Sequence, residues 1–186
     1  MRYPSILCLI IYFTIANCAH AQEEEQISTE QFLQLSVNGS ISVASLSQLD
    51  GDWETLKEAL GEPLEEDCKE YSAILGFETT CDFLYDGLEI LYANVGRGPE
   101  LAEIVITNST PFLEYEGTKL RVGDPVSRLE PHFPEAYVNR GPLENAEGYT
   151  SYFVRLNIAG SVSNLYFEYD VETQNITEIV FYKILT

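Results

Sequence analysis

Positive charge, histidine and tryptophan are all scarce in this chain. Its 186 residues hold 10 Lys and Arg against 30 Asp and Glu, with 2 His and 1 Trp, for a formal net charge of −20. A surface of that sign repels phosphate backbones and anionic headgroups, which argues against nucleic acid or an acidic membrane as partner. It favours solubility, cations or a basic partner. Histidine chemistry has one candidate beyond the N-terminal segment, His132, set between Pro131 and Phe133. No nucleophile elbow or activated Ser lies near it, so His132 reads as a helix-end or surface residue. The H-E-x-x-H pattern, zinc-type Cys/His clusters, phosphate-cradling Gly loops and the spaced acidic pattern of a calcium loop are absent too. No catalytic residue, metal or cofactor is therefore expected. Carboxylates are the one abundant reactive type, and two at the right separation suffice for glycoside hydrolysis. A carboxylate-dependent hydrolase stays open as an alternative, although Trp53 is better spent in a helix stripe than in a sugar cleft.

Long apolar runs are equally rare. The one present, Ile6 to Ile15, follows Arg2 and precedes Ala19-His20-Ala21. It is too short for a mature membrane span and has the three-part order of a cleavable signal peptide. Residues 1–21 are read as that signal, with cleavage between Ala21 and Gln22. A lipid anchor on Cys18 is the competing reading, but Asn17 fits a lipobox poorly. The processed chain is expected to be periplasmic or secreted, with no integral membrane segment. Of four cysteines, Cys68 and Cys81 survive processing, 13 positions apart. In an exported protein an isolated pair is most economically a disulfide.

Residues 22–49 read as an acidic leader followed by a segment docked through Phe32, Leu33 and Leu35. Asp52 is a good N-cap for a helix with Trp53, Leu56 and Leu60 on one stripe, stopped by Gly61 and Pro63. Glu62, Glu65, Glu66, Asp67 and Glu70 read as a solvated loop. Phe83 to Tyr92 reads as a hairpin around Asp86-Gly87, and Leu101 to Thr107 as a third strand. Further on, Asp124 is expected to cap a short helix with Pro125 at its first position and Val126, Leu129 and Phe133 on its stripe. Pro131 and Pro134 keep that helix short. Tyr149 to Ala159 alternates, Gly160 turns the chain, and Leu165 to Tyr169 and Ile176 to Leu185 are two more strands.

The second half repeats the order of the first. Leu101-Ala102-Glu103-Ile104-Val105-Ile106 aligns with Ile176-Thr177-Glu178-Ile179-Val180-Phe181 at an offset of 75. Leu56 and Leu60 align with Leu129 and Phe133 at an offset of 73. The expected fold is α+β: two related units, residues 50–109 and 120–186, joined by a linker at 110–119. Each unit is a short helical segment followed by a three-stranded antiparallel meander, and together they form one sheet with helices on one face.

Leu56-Lys57-Glu58-Ala59-Leu60-Gly61-Glu62-Pro63 resembles the helix end of the small outer-membrane-assembly lipoproteins, and Val122-Gly123-Asp124-Pro125-Val126 resembles the helix start of the same repeat. Tandem copies of such a unit are similar to the secreted beta-lactamase-inhibitor proteins. The resemblance implies a non-enzymatic protein-binding scaffold and names no contact residues. The expected function is thus an exported, acidic protein-binding module for an unknown protein partner, with an envelope assembly accessory as the alternative. Tyr outnumbers the other aromatics, 12 against 9 Phe, so an open sheet face carrying Tyr92, Tyr152, Tyr166 and Tyr182 is the candidate binding surface. Asn38, Asn108 and Asn175 stand in N-x-S/T sequons, which matter only in a eukaryotic source.

Overall fold

Alternation makes the long strands. From Ser163 to Tyr169 every second residue is buried and the others are half-buried, the pattern of a strand covered on one side. The computed structural model describes residues 26–70, 79–94, 96–144 and 150–185. The strands described there are β1 (Gln26–Ile27), β2 (Ser36–Val37), β3 (Ile41–Ser42), β4 (Glu65–Glu70), β5 (Thr79–Tyr85), β6 (Leu88–Asn94) and β7 (Pro99–Ile106). They continue with β8 (Leu113–Tyr115), β9 (Thr118–Leu120), β10 (Gly141–Glu144), β11 (Thr150–Ile158), β12 (Ser163–Tyr169) and β13 (Ile176–Lys183). A nine-stranded sheet has the order β1–β11–β12–β13–β7–β6–β5–β4, with β10 also paired to β11. Its pairings are antiparallel except β1 with β11. A separate four-stranded sheet has the order β3–β2–β8–β9.

One face of the large sheet is the floor of the core. Phe83, Ile90, Ile104, Leu156, Phe167 and Phe181 are buried on it. The same cluster takes in Val37, Leu113 and Tyr115 of the small sheet and Leu46, Leu56 and Leu129 of the helical segments. Burying a side chain of this kind contributes about 1.5–3 kcal/mol. The helix Trp53–Leu60 starts where expected: the Asp52 carboxylate accepts from Thr55 N at 3.4 Å and Thr55 Oγ1 at 2.8 Å. Its Trp53 ring packs 5.0 Å from Phe83 and 4.7 Å from Tyr92. Lys57 then reaches Glu66 of β4 at 2.9 Å and ties the helix to the sheet edge. Cys68 and Cys81 stand directly opposite on β4 and β5 and form the disulfide.

This architecture overturns the expected α+β duplication. The chain is predominantly strand, in one large mixed sheet and a second small sheet, and is not two units of helix plus three-stranded meander. Three local causes are visible. Residues 110–119 are no mere linker: β8 and β9 form a hairpin there, turned at Glu116 (φ 49°) and Gly117 (φ 76°), and β8 pairs with β2 from the leader region. The acidic run after Pro63 is no loop but edge strand β4, in register with β5. The second helix does not form as expected. Val126–Leu129 is a single 3-10 turn with Pro125 at its cap, and a five-residue helix, Pro134–Val138, follows. Asp124 does not cap that turn; its carboxylate accepts from Arg121 N at 3.0 Å and from Arg128 Nη1 at 2.7 Å. The shared Glu-Ile-Val segments are two adjacent central strands, with Ile104 opposite Phe181 and Ile106 opposite Ile179. Signal residues 1–21, the Ala21–Gln22 junction and Cys18 lie outside the described residues.

Candidate binding face

The other face of the large sheet is set by the residues left over from the core alternation. Opposed residues of paired strands share a face, so the register fixes its membership. On β12 and β13 it holds Tyr166 opposite Val180, Glu168 opposite Glu178, and Tyr182 opposite Asn164. On β7 and β6 it holds Val105 opposite Glu89 and Glu103 opposite Leu91. Asp82 and Leu84 of β5 face Asp67 and Glu65 of β4. None of these side chains is buried. Leu84 is 39% exposed and Tyr182 43%, so no packed layer of the described residues lies over them.

The four candidate tyrosines divide between the two faces. Tyr92 is a correction: it is 1% exposed, on the core side, and its hydroxyl donates to the Leu46 carbonyl at 3.0 Å. Alternation along β6 turns its ring inward with Leu88 and Ile90. Tyr152 is also on the core side, opposite Tyr169, and half-buried against the cluster. Only Tyr166 and Tyr182 lie on the outer face, on neighbouring strands and diagonal to each other. Phe153 and Arg155 of β11 extend the same face. The Phe153 ring meets Tyr166 edge-on at 5.8 Å, and the Arg155 guanidinium stands 5.7 Å from the Tyr166 ring centre.

The outer face is strongly acidic. A shallow depression of about 230 Å³ at its β4–β6 end is lined by Glu65, Asp67, Lys69, Asp82, Leu84 and Glu89. Burial raises the Asp82 carboxyl above its ordinary value, Lys69 opposes that, and Asp67 adds to it. Glu103 is raised by burial and then by the charges of Glu89 and Asp82. Glu178 is raised by burial and then by Glu168, Glu103 and Glu89. Glu168–Glu178 and Asp67–Asp82 are like-charged pairs directly across adjacent strands, an arrangement that destabilises a sheet. Asp67 was expected in a solvated loop, and none of these carboxylates was expected on the sheet face. The signal was present: Glu89, Glu168 and Glu178 each stand at the outward position of a strand whose flanking residues point to the core.

His132 packs edge-on to Tyr115 at 5.6 Å, with its Nδ1 3.6 Å from Glu116 Oε2. It sits at the end of the 3-10 turn segment, away from the sheet's outer face. Two of the sequon asparagines are used structurally. Asn38 Oδ1 accepts from Phe112 N at 3.0 Å, and Asn108 Nδ2 donates to Asp86 Oδ1 at 3.0 Å. No group of three or more potential metal-ligating side chains is found among the described residues. No described helix is long and apolar enough to cross a membrane.

No protein-family model matches the sequence, and no curated protein matches it. Among solved structures, the chain is similar to an extracellular protein containing an SCP domain from Bacillus anthracis, with a TM-score of 0.39 and 13% identity over 77% of this chain and 46% of that one. It is similar also to a cysteine-rich secretory protein from Staphylococcus aureus, with a TM-score of 0.36 and 9% identity over 70% of this chain and 41% of that one. The chain thus spans less than half the length of either. At such TM-scores neither likeness assigns a fold family or a function.

Proposed function

We propose that this protein is an exported, non-enzymatic binding module whose working surface is the outer face of the nine-stranded sheet. The observation that carries the reading is the asymmetry of that sheet. One face buries Phe83, Ile90, Ile104, Leu156, Phe167 and Phe181 in the core, whereas the other holds Leu84, Leu91, Val105, Val180, Tyr166 and Tyr182 with none of them buried. Apolar and aromatic side chains presented together on a rigid sheet suit protein recognition, where Tyr buries large area at low entropic cost. Export is supported by the N-terminal signal pattern and by the disulfide, which persists in oxidising compartments. The test is capture of a partner from the protein's own source by wild type and by a Tyr166→Ala/Tyr182→Ala variant. Loss of capture with unchanged thermal stability is expected. Capture that survives this variant but is lost on substituting the opposite, helix-bearing side would overturn the reading.

A further inference from the structure

Taking the outer face as the working surface, as the reading above does, we propose that its partner is a basic polypeptide, whose Lys and Arg side chains lie across the sheet with their charged heads on its carboxylates. The occupant is chosen by charge and by reach. Glu168, Glu178, Glu103, Glu89, Asp82 and Asp67 lie on six adjacent strands, β12, β13, β7, β6, β5 and β4, staggered along them, with Glu103 opposite Tyr182 and Glu89 opposite Val105. Six adjacent strands at the usual spacing of about 4.8 Å extend over roughly 24 Å. A single small cation cannot bridge that distance; an extended chain with several positive side chains can.

The other occupants fit worse. A second copy of this chain would bring carboxylates against carboxylates, each from a molecule of net charge −20. Nucleic acid and anionic membrane meet the same repulsion. The apolar residues between the acids, Val105, Val180 and Leu91, suit the aliphatic stems of Lys and Arg, which cover apolar surface while their heads stay with charge. Tyr166 already carries this chemistry within the molecule, with Arg155 standing over its ring side at 5.7 Å. The Glu168–Glu178 cross-strand pair works against folding, and a cationic partner relieves that repulsion, whereas at the β4 end Lys69 already pairs with Asp67.

A labelled deca-lysine peptide tests the proposal by fluorescence anisotropy on the exported protein, at low and high salt. The outer-face variant is Glu103→Gln/Glu178→Gln/Asp82→Asn. The control, with the same change in charge, is Glu58→Gln/Glu130→Gln/Glu135→Gln, on the exposed sides of the helical segments. The expected result is salt-sensitive binding that falls roughly tenfold in the outer-face variant and less than about twofold in the control. Equal losses in the two variants would reveal diffuse attraction to an acidic molecule and overturn the assignment, as would no binding at all. A calcium titration that saturates outer-face amide shifts and expels the peptide would reassign the face to a metal ion, again overturning it. Partner capture lost with Tyr166→Ala/Tyr182→Ala but untouched by the charge variant would sink this proposal while leaving the binding module intact.

Discussion

The Tyr92 hydroxyl, buried on β6, donates a 3.0 Å hydrogen bond to the Leu46 carbonyl at the end of the helix Val43–Leu46. That bond fastens the covering layer to the floor of the core across 46 positions of sequence. A phenylalanine at 92 keeps the ring but leaves the carbonyl unpaired. Tyr92→Phe is expected to cost about 1–3 kcal/mol in urea denaturation. Trp53, the chain's one tryptophan, packs 4.7 Å from the Tyr92 ring, so its fluorescence reports the transition. A variant as stable as wild type would show that water replaces the hydroxyl.

The disulfide should matter most at the sheet edge. Strand β4 consists of Glu65-Glu66-Asp67-Cys68-Lys69-Glu70, with no apolar residue besides the cysteine to hold it on β5. The Lys57–Glu66 ion pair adds little, since both side chains stay in contact with solvent, which screens their attraction. Thiol labelling of unreduced, unfolded protein should give no adducts at Cys68 or Cys81. Reduction should then accelerate amide exchange along β4 while β7 and β13, in the middle of the sheet, stay protected. The loss of stability should be about 3 kcal/mol or less, the chain-entropy value for a loop of this length. Uniform acceleration across the sheet would contradict a local edge role.

Leu56 and Leu129 are both fully buried, one on the helix Trp53–Leu60 and the other on the 3-10 turn. Their truncation tests whether the short second segment bears on the core as firmly as the longer first one. Leu→Ala at either is expected to cost about 2–5 kcal/mol, whereas Leu84→Ala on the outer face should cost under about 0.5 kcal/mol. Chemical denaturation of the three variants reads this directly. A mild Leu129→Ala would mean that the 3-10 turn is loosely seated.

What could be read from sequence depended on the length of each pattern. The long strands β6, β7, β11, β12 and β13 have enough residues for a period of two to declare itself, and Trp53–Leu60 has both a cap and a stripe. Strands β1, β2 and β3 have two residues each, too few for any period. Strand β4 is built from residues that disfavour strands, so its place follows from the Cys68–Cys81 register instead of its own propensity. The β8–β9 hairpin was legible in principle. Leu113, Tyr115 and Leu120 are buried around a Glu-Gly pair with both φ angles positive, a two-residue hairpin signal. The inward place of Tyr92 was legible too, since it shares the parity of Leu88 and Ile90 on β6. The outward places of Glu168 and Glu178 were legible from alternation, but the continuity of the acidic face into Glu103 and Glu89 required knowing that β13 pairs with β7.

Gly87 and Asn108 lock the β5–β6 turn together. Gly87 has φ +72°, and a Cβ there would occupy the place of the Asn108 carboxamide. That carboxamide donates to Asp86 Oδ1 at 3.0 Å and accepts from Thr110 N at 2.9 Å. Gly87→Ala therefore meets both backbone strain and a displaced hydrogen-bonding group, and should cost more than about 1 kcal/mol. Adding Asn108→Ala removes the steric conflict but not the strain, so thermal melts should show the double variant less destabilised than the separate losses imply. Strict additivity would rule out the contact.

The outer-face carboxylates give the protein an unusual response to mild acid. Glu103 and Glu178 have folded pKa values raised above those of the unfolded chain, by burial first and neighbouring carboxylates second. A group shifted this way contributes stability that is fully present below its unfolded pKa, about 4.3, and is lost as pH rises through the folded value. Acidification from neutral pH toward about 4.5 should thus stabilise the protein at these positions. Glu100, lowered first by its hydrogen bond from Lys183, and Asp170, lowered by hydrogen bonds from Thr173, act the other way. Their contributions are present above the unfolded carboxylate range and fade as pH falls below it. The melting temperature should therefore rise from pH 7.5 to about pH 5 and fall again below about pH 4. Glu103→Gln/Glu178→Gln should flatten the rise and add a few tenths to about 1 kcal/mol at neutral pH, a small figure because both side chains are partly solvated. Scanning calorimetry across this range would count against the electrostatic account if wild type weakened steadily on acidification, or if the double variant kept the wild-type slope.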